Sequence, residues 1–101
     1  MRRVIWGDID LMARFAAALP EDDRSDAIER VLFKAHCADQ YRKQFGKAHS
    51  KWGTGSISGV IGSSGNMPGQ LATNDADYLR AVALVCGILA DRAEAGRRRA
   101  A

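Results

Sequence analysis

With 101 residues, the chain has room for one hydrophobic core and not for two domains. Its 47% hydrophobic and 27% charged residues are the composition of a globular protein, which excludes disorder throughout. The net charge of +3 conceals an uneven distribution: residues 21–41 carry six acids and three bases, whereas 42–51 carry Arg42, Lys43, Lys47 and Lys51 and no acid.

The longest uncharged apolar run, Ala81 to Ala90, is about half the roughly 20 residues needed to span a bilayer. Met1 to Asp8 begins basic and then apolar, but Asp8 and Asp10 interrupt any signal-peptide core. A cytoplasmic protein with no membrane association is expected. Two cysteines, Cys37 and Cys86, fall within apolar helical patterns and are expected to be buried thiols; a disulfide scaffold would use more of them, in loops.

The apolar spacing predicts a small three-helix bundle, all-α, with an additional short helix and a Gly-rich loop, as one domain over 1–101. Residues 1–7 are read as an N-terminal arm ahead of a first helix capped by Asp8. Ile9, Met12, Phe15 or Ala16, and Leu19 recur at the spacing of one buried face, and Pro20 ends the helix. Trp6 and Trp52 each precede a glycine and an apolar turn, so each is expected to anchor a helix start.

Pro20 also suits the start of a second helix, followed there by Glu21, Asp22 and Asp23. Its stripe is Ala27, Ile28, Val31, Leu32, Ala35, Ala38, Tyr41 and Phe45, with Gly46 as the C-cap. Seven of the ten glycines lie between 46 and 69. One or two helical turns beginning near Thr54 or Ser56 are expected, then a flexible loop over 62–73. A last helix follows Thr73 or Asn74, with Tyr78 or Leu79, Val82, Val85 or Cys86, and Leu89 facing the core. It is expected to fray between Arg92 and Gly96, leaving 96–101 as a basic tail.

The string Tyr41 to Ser56 requires its own account. Tyr41, Arg42, Lys43, Lys47, His49, Lys51, Trp52 and Ser56 form the candidate binding surface. Bases there would meet phosphates, Trp52 would stack on a nucleobase, and amides near Gly53 to Ser56 would hold an oxyanion. Alternatively the string is a capped helix end, a tryptophan folded inward and a glycine-rich turn. Gly46-Lys47 lacks both the following Ser/Thr and the earlier glycine of a phosphate loop, so the bracing account takes precedence.

No catalytic motif is present. His36 and Asp39 read as a polar helix face, and no CxxC, HxxxH, HExxH or GxSxG spacing occurs, so neither a metal nor another cofactor is expected.

Three segments carry a resemblance: Trp6-Gly7-Asp8-Ile9-Asp10-Leu11; Ala38-Asp39-Gln40-Tyr41-Arg42-Lys43 with Gly46, His49, Trp52-Gly53 and Gly55-Ser56; and Asp75-Ala76-Asp77-Tyr78-Leu79. Together they make the chain similar to a group of small, uncharacterised alphaproteobacterial proteins. The resemblance implies a recurring helical protein and no particular activity. The leading expectation is a non-catalytic helical protein-interaction module with an unidentified protein partner. The alternative is a nucleic-acid-binding accessory protein using the basic segment 42–52.

Overall fold

A computed structural model describes residues 1–65, 67–71 and 73–100. Four helices follow in chain order: α1 (Trp6–Ala17), α2 (Glu21–Phe45), α3 (Ile57–Ser63) and α4 (Ala76–Ala100). Among the described residues there is no strand, and the fold is an all-α bundle of three main helices and one short one.

α1 begins two residues earlier than its acids suggest. Trp6 and Gly7 already lie in the first turn, so the arm is 1–5 and not 1–7. Asp8 caps from inside the helix: its Oδ2 accepts the Ile5 amide at 3.1 Å, satisfying one of the donors that the first turn leaves open. At the other end, Arg24 donates to the carbonyls of Leu19 (3.0 Å) and Ala17 (3.2 Å). A buried guanidinium thus closes the C-terminus of α1, where positive charge is favoured. The same group lies 3.6 Å from Asp77 and links this end to α4.

α2 follows its punctuation. Pro20 immediately precedes it, and Gly46 ends it in the left-handed conformation (φ 71°), its amide donating to Arg42 at 2.8 Å. Ala27, Ile28, Val31, Leu32, Ala35 and Ala38 are all buried. The expected stripe does not continue into the core, however: Tyr41 is half-buried and Phe45 exposed. Those last turns meet an aromatic cluster instead of another helix face.

α3 is capped by Ser56, whose Oγ accepts the Gly59 amide at 2.9 Å. It extends to Ser63, so Gly62 and Ser63 leave the expected 62–73 loop. That segment also contains Asn66 and Ala72, which lie outside the described residues. Pro68 is tied to α1 by its carbonyl, which accepts from Arg14 at 2.9 Å.

Asp75, and not Thr73 or Asn74, caps α4, its Oδ1 accepting the Tyr78 amide at 2.9 Å. The helix does not fray at 92–96. It runs to Ala100, so the expected basic tail is helical over 96–100, with Ala101 outside the described residues. Three arginines in the last turn complement the helix dipole there. α4 packs mainly on α1, burying Ala81 and Val85 while Leu79 stays exposed.

The core joins Leu11, Met12, Ala13 and Ala16 of α1 to Ile28, Val31, Leu32 and Ala35 of α2 and to Ile57, Val60 and Ile61 of α3, with Ala81 and Val85. Its alanines permit close helix approach. Cys37 and Cys86 are half-buried free thiols, not the fully buried ones expected, because each lies at the margin of its helix's core face. No helix among the described residues is long and apolar enough to cross a membrane.

Asp10 joins α1 to α4 by accepting the Tyr78 hydroxyl at 2.6 Å. That hydrogen bond to a carboxylate, reinforced by burial, raises the Tyr78 pKa above its ordinary value. Tyr78→Phe is expected to lower stability by about 1–2 kcal/mol at neutral pH in urea denaturation. Because the unfolded phenol ionises first, the advantage of the tyrosine shrinks as pH rises past about 10.

Candidate functional site

Asp39 sits two turns before the end of α2 with its side chain 3% exposed. Burying a carboxylate alone is costly, and here three cations surround it. The Met1 amine lies at 3.2 Å, Arg42 at 3.0 Å and Lys43 at 3.1 Å. Lys43, then Arg42, hold the carboxyl well below the ordinary aspartate range; burial opposes them and the Met1 amine adds to them. The two side chains come from the same helix at i+3 and i+4, where a turn of α-helix places neighbours.

The other side of Asp39 is closed by backbone. Gly55 has φ +103°, and a Cβ added to it would fall 2.6 Å from the Asp39 Cβ and 2.7 Å from its Cα. Only glycine allows this approach. The Gly55 carbonyl accepts the Arg2 amide at 2.9 Å. The N-terminal arm and the far end of the polar string are therefore clasped together against α2.

Between Gly46 and Ser56 the chain forms a tight turn closed by an antiparallel bridge between His49 and Gly53. His49 Nδ1 accepts the amides of Lys51 (3.1 Å) and Trp52 (3.2 Å), an arrangement that requires this nitrogen to be unprotonated. The imidazole stacks on Trp52 with centroids 4.8 Å apart and planes 13° from parallel. Tyr41 meets its edge at 5.0 Å, and Phe45 lies 4.7 Å from Tyr41. Trp52 is half-buried and packs against the core.

A second carboxylate fastens the start of α3. Asp8 Oδ1 accepts the Ser58 hydroxyl at 2.6 Å and its amide at 3.3 Å, while Oδ2 holds Ile5. One buried side chain thus fixes the first turns of α1 and α3 to each other.

The candidate residues divide accordingly. Tyr41, His49 and Trp52 form the aromatic stack, Arg42 and Lys43 engage Asp39, and Ser56 caps α3. Lys47 and Lys51 are exposed and make no ion pair with a described residue. His36 is exposed, and Asp39 belongs to the ion cluster instead of the polar face expected for the pair. Among the described residues no His, Cys, Asp and Glu side chains are grouped as a metal site.

The sequence motifs assign Asp39 to a polar helix face and Gly55 to a glycine-rich turn, and give the arm no part in the site. Asp39 with Arg42 and Lys43 was detectable as a helical charge pattern; the arm's return to Gly55 had no local signal. The start of α1 also places Trp6 unexpectedly: the residue is 76% exposed, beside Ile5 at 62%. Both border a shallow cleft with Arg3, Val4 and Ile9.

The fold and these contacts define a small all-α protein whose polar motif is built around a buried, cation-clasped aspartate. The chain belongs to a family described as a domain of unknown function, DUF7742, whose family model matches residues 2–89. That span takes in the arm from Arg2, the whole polar string and α4 as far as Leu89. No match was found among curated proteins or solved structures.

Gly55→Ala is expected to destabilise the protein by about 2 kcal/mol or more, because strain and a clash with Asp39 combine. Gly46→Ala, with open space around the added methyl, should cost only about 1 kcal/mol; thermal or urea unfolding checks the ranking. At pH 7 Asp39→Asn should cost about 2–3 kcal/mol. The folded carboxyl is the more acidic one, so its stabilisation is complete above the unfolded value. It fades as pH falls below about 3.9, and the gap between wild type and Asp39→Asn should narrow toward pH 2.

Proposed function

We propose that the protein is a non-catalytic helical interaction module, of the alphaproteobacterial group its motifs resemble, working in the cytoplasm. Two unpaired thiols are compatible with a reducing compartment. The contact surface is the start of α1, where Ile5 and Trp6 stand beside Val4 and Ile9 and next to Arg2 and Arg3. The observation that carries this reading is the exposure of Trp6 and Ile5 side by side. Tryptophan and arginine are the residues most often responsible for binding energy at interfaces, and contiguous apolar surface marks contact sites.

The surface is supported from beneath. Arg2 is bonded to Gly55 and Ile5 to Asp8, which lowers the ordering cost on association. The polar string Tyr41–Ser56 acts chiefly as the brace, and Lys43, largely exposed beyond Asp39, adds charge nearby. The partner fitting this chemistry is a protein presenting an apolar side chain flanked by acids.

One observation favours a nucleic-acid-binding accessory role as the second reading: the clasp brings Arg2 and Arg3 to the end of α2 that bears Arg42 and Lys43. Against it, both α2 cations engage Asp39, and His49 covers one face of Trp52.

Trp6→Ala should leave the melting temperature within about 2 °C of wild type, since the side chain is largely solvent-exposed. It should reduce capture of the partner by at least roughly tenfold in a quantitative pull-down. Undiminished capture by Trp6→Ala, or turnover of a substrate by the purified protein, would sink the module reading. Salt-sensitive binding to a mixed-sequence duplex, with a log–log slope reduced by about 1 in Arg3→Ala, would favour the second.

A further inference from the structure

We propose that the cleft where α1, α2 and α3 meet Trp52 binds a small aromatic monocarboxylate. Its walls are apolar, formed by Phe15 of α1, Val31 of α2, Val60 and Ile61 of α3, and Trp52. Lys34 and Lys51 also line it, and no acidic side chain does. Neither lysine has an ion-pair partner among the described residues, although Lys34 is half-buried. The cleft therefore combines an apolar body with uncompensated positive charge.

Size narrows the ligand. The cleft measures about 210 Å³; at an interior packing density of about 0.74, that accommodates roughly ten non-hydrogen atoms. A nucleotide is too large, and an inorganic anion would leave the apolar walls unfilled. A flat ring suits Phe15 and Trp52, which favour offset or edge-on aromatic packing. The wall is also pre-set, because the indole is held against His49 and His49 is held by the backbone of its own turn.

Charge sets the head group. The Ser63 hydroxyl donates to the Gly59 carbonyl and the Ser64 hydroxyl to that of Ile61, each at 2.6 Å. Recognition of a carboxylate is left to the two ammonium groups, which act as point charges without a fixed fork geometry. None of the cleft residues belongs to the Arg2–Trp6 surface, so the two proposals stand or fall separately.

The test is a titration of the ¹⁵N-labelled full chain with 3-phenylpropionate, followed by amide and indole chemical shifts. Saturable binding with 1:1 stoichiometry and a Kd below about 1 mM is expected, within the range open to so small a ligand. Shifts should centre on Trp52 and Val60. The uncharged analogue 3-phenylpropanol should bind at least roughly tenfold more weakly, and Lys34→Gln and Lys51→Gln should each weaken the carboxylate by about fivefold or more. Absence of saturation by about 10 mM, equal binding of acid and alcohol, or shifts confined to Trp6 would overturn the proposal. Should either glutamine variant lose its fold, the acid–alcohol comparison on the unaltered chain still decides.

Discussion

Asp39 is the constraint around which the least regular part of the molecule is arranged. A carboxylate with 3% exposure must either lose its charge or gather compensating donors. Here it gathers three, two from its own helix and one from the first residue of the chain. The third changes the topology, because bringing Met1 to α2 lays the arm across the end of the polar string. Gly55 then closes the cluster at a distance that no other residue tolerates. Charge neutralisation and backbone approach are thus a single requirement met from two sides.

Asp8 repeats the principle at the opposite side of the arm. Its two oxygens divide between the first turn of α1 and the first turn of α3. A helix of seven residues has little stability of its own, since nucleation is unfavourable and few bonds follow. Ser56 at its cap, Asp8 at Ser58 and three buried side chains, Ile57, Val60 and Ile61, hold it in place. Val60 and Ile61 of the helix so held also line the cleft beside Trp52.

These contacts redistribute function along the chain. The bases and aromatics of residues 41–56 look like a surface when read in a line. In space, the histidine accepts backbone amides, the tryptophan lies against it and the core, and two of the bases face a buried acid. What stays available is Lys47, Lys51 and the outer part of Lys43, together with Arg2, Arg3 and Trp6 from a segment with no sequence link to the motif. Concentration of polar residues in sequence is therefore a guide to where the fold needs bracing as much as to where it binds.

Local rules accounted for whatever depends on neighbours within a turn or two. The α2 stripe from Ala27 to Ala38, Gly46 as its C-terminal end, a short helix starting near Ser56 and the all-α class follow from helical period and capping chemistry. Helix starts were less legible where acids crowd together: Asp8 acts from the third position of α1 rather than ahead of it, and Asp75 displaces Thr73 and Asn74. Both positions satisfy the same open amides, so a sequence alone cannot choose between them. The exposure of Trp6, the burial of Asp39 and the meeting of Met1, Arg2 and Gly55 were decided only by tertiary structure. The contacts of Met1 with Asp39 and of Arg2 with Gly55 span 38 and more residues, over which no periodicity carries information, and they rest on a steric fit that exists only once the helices are packed.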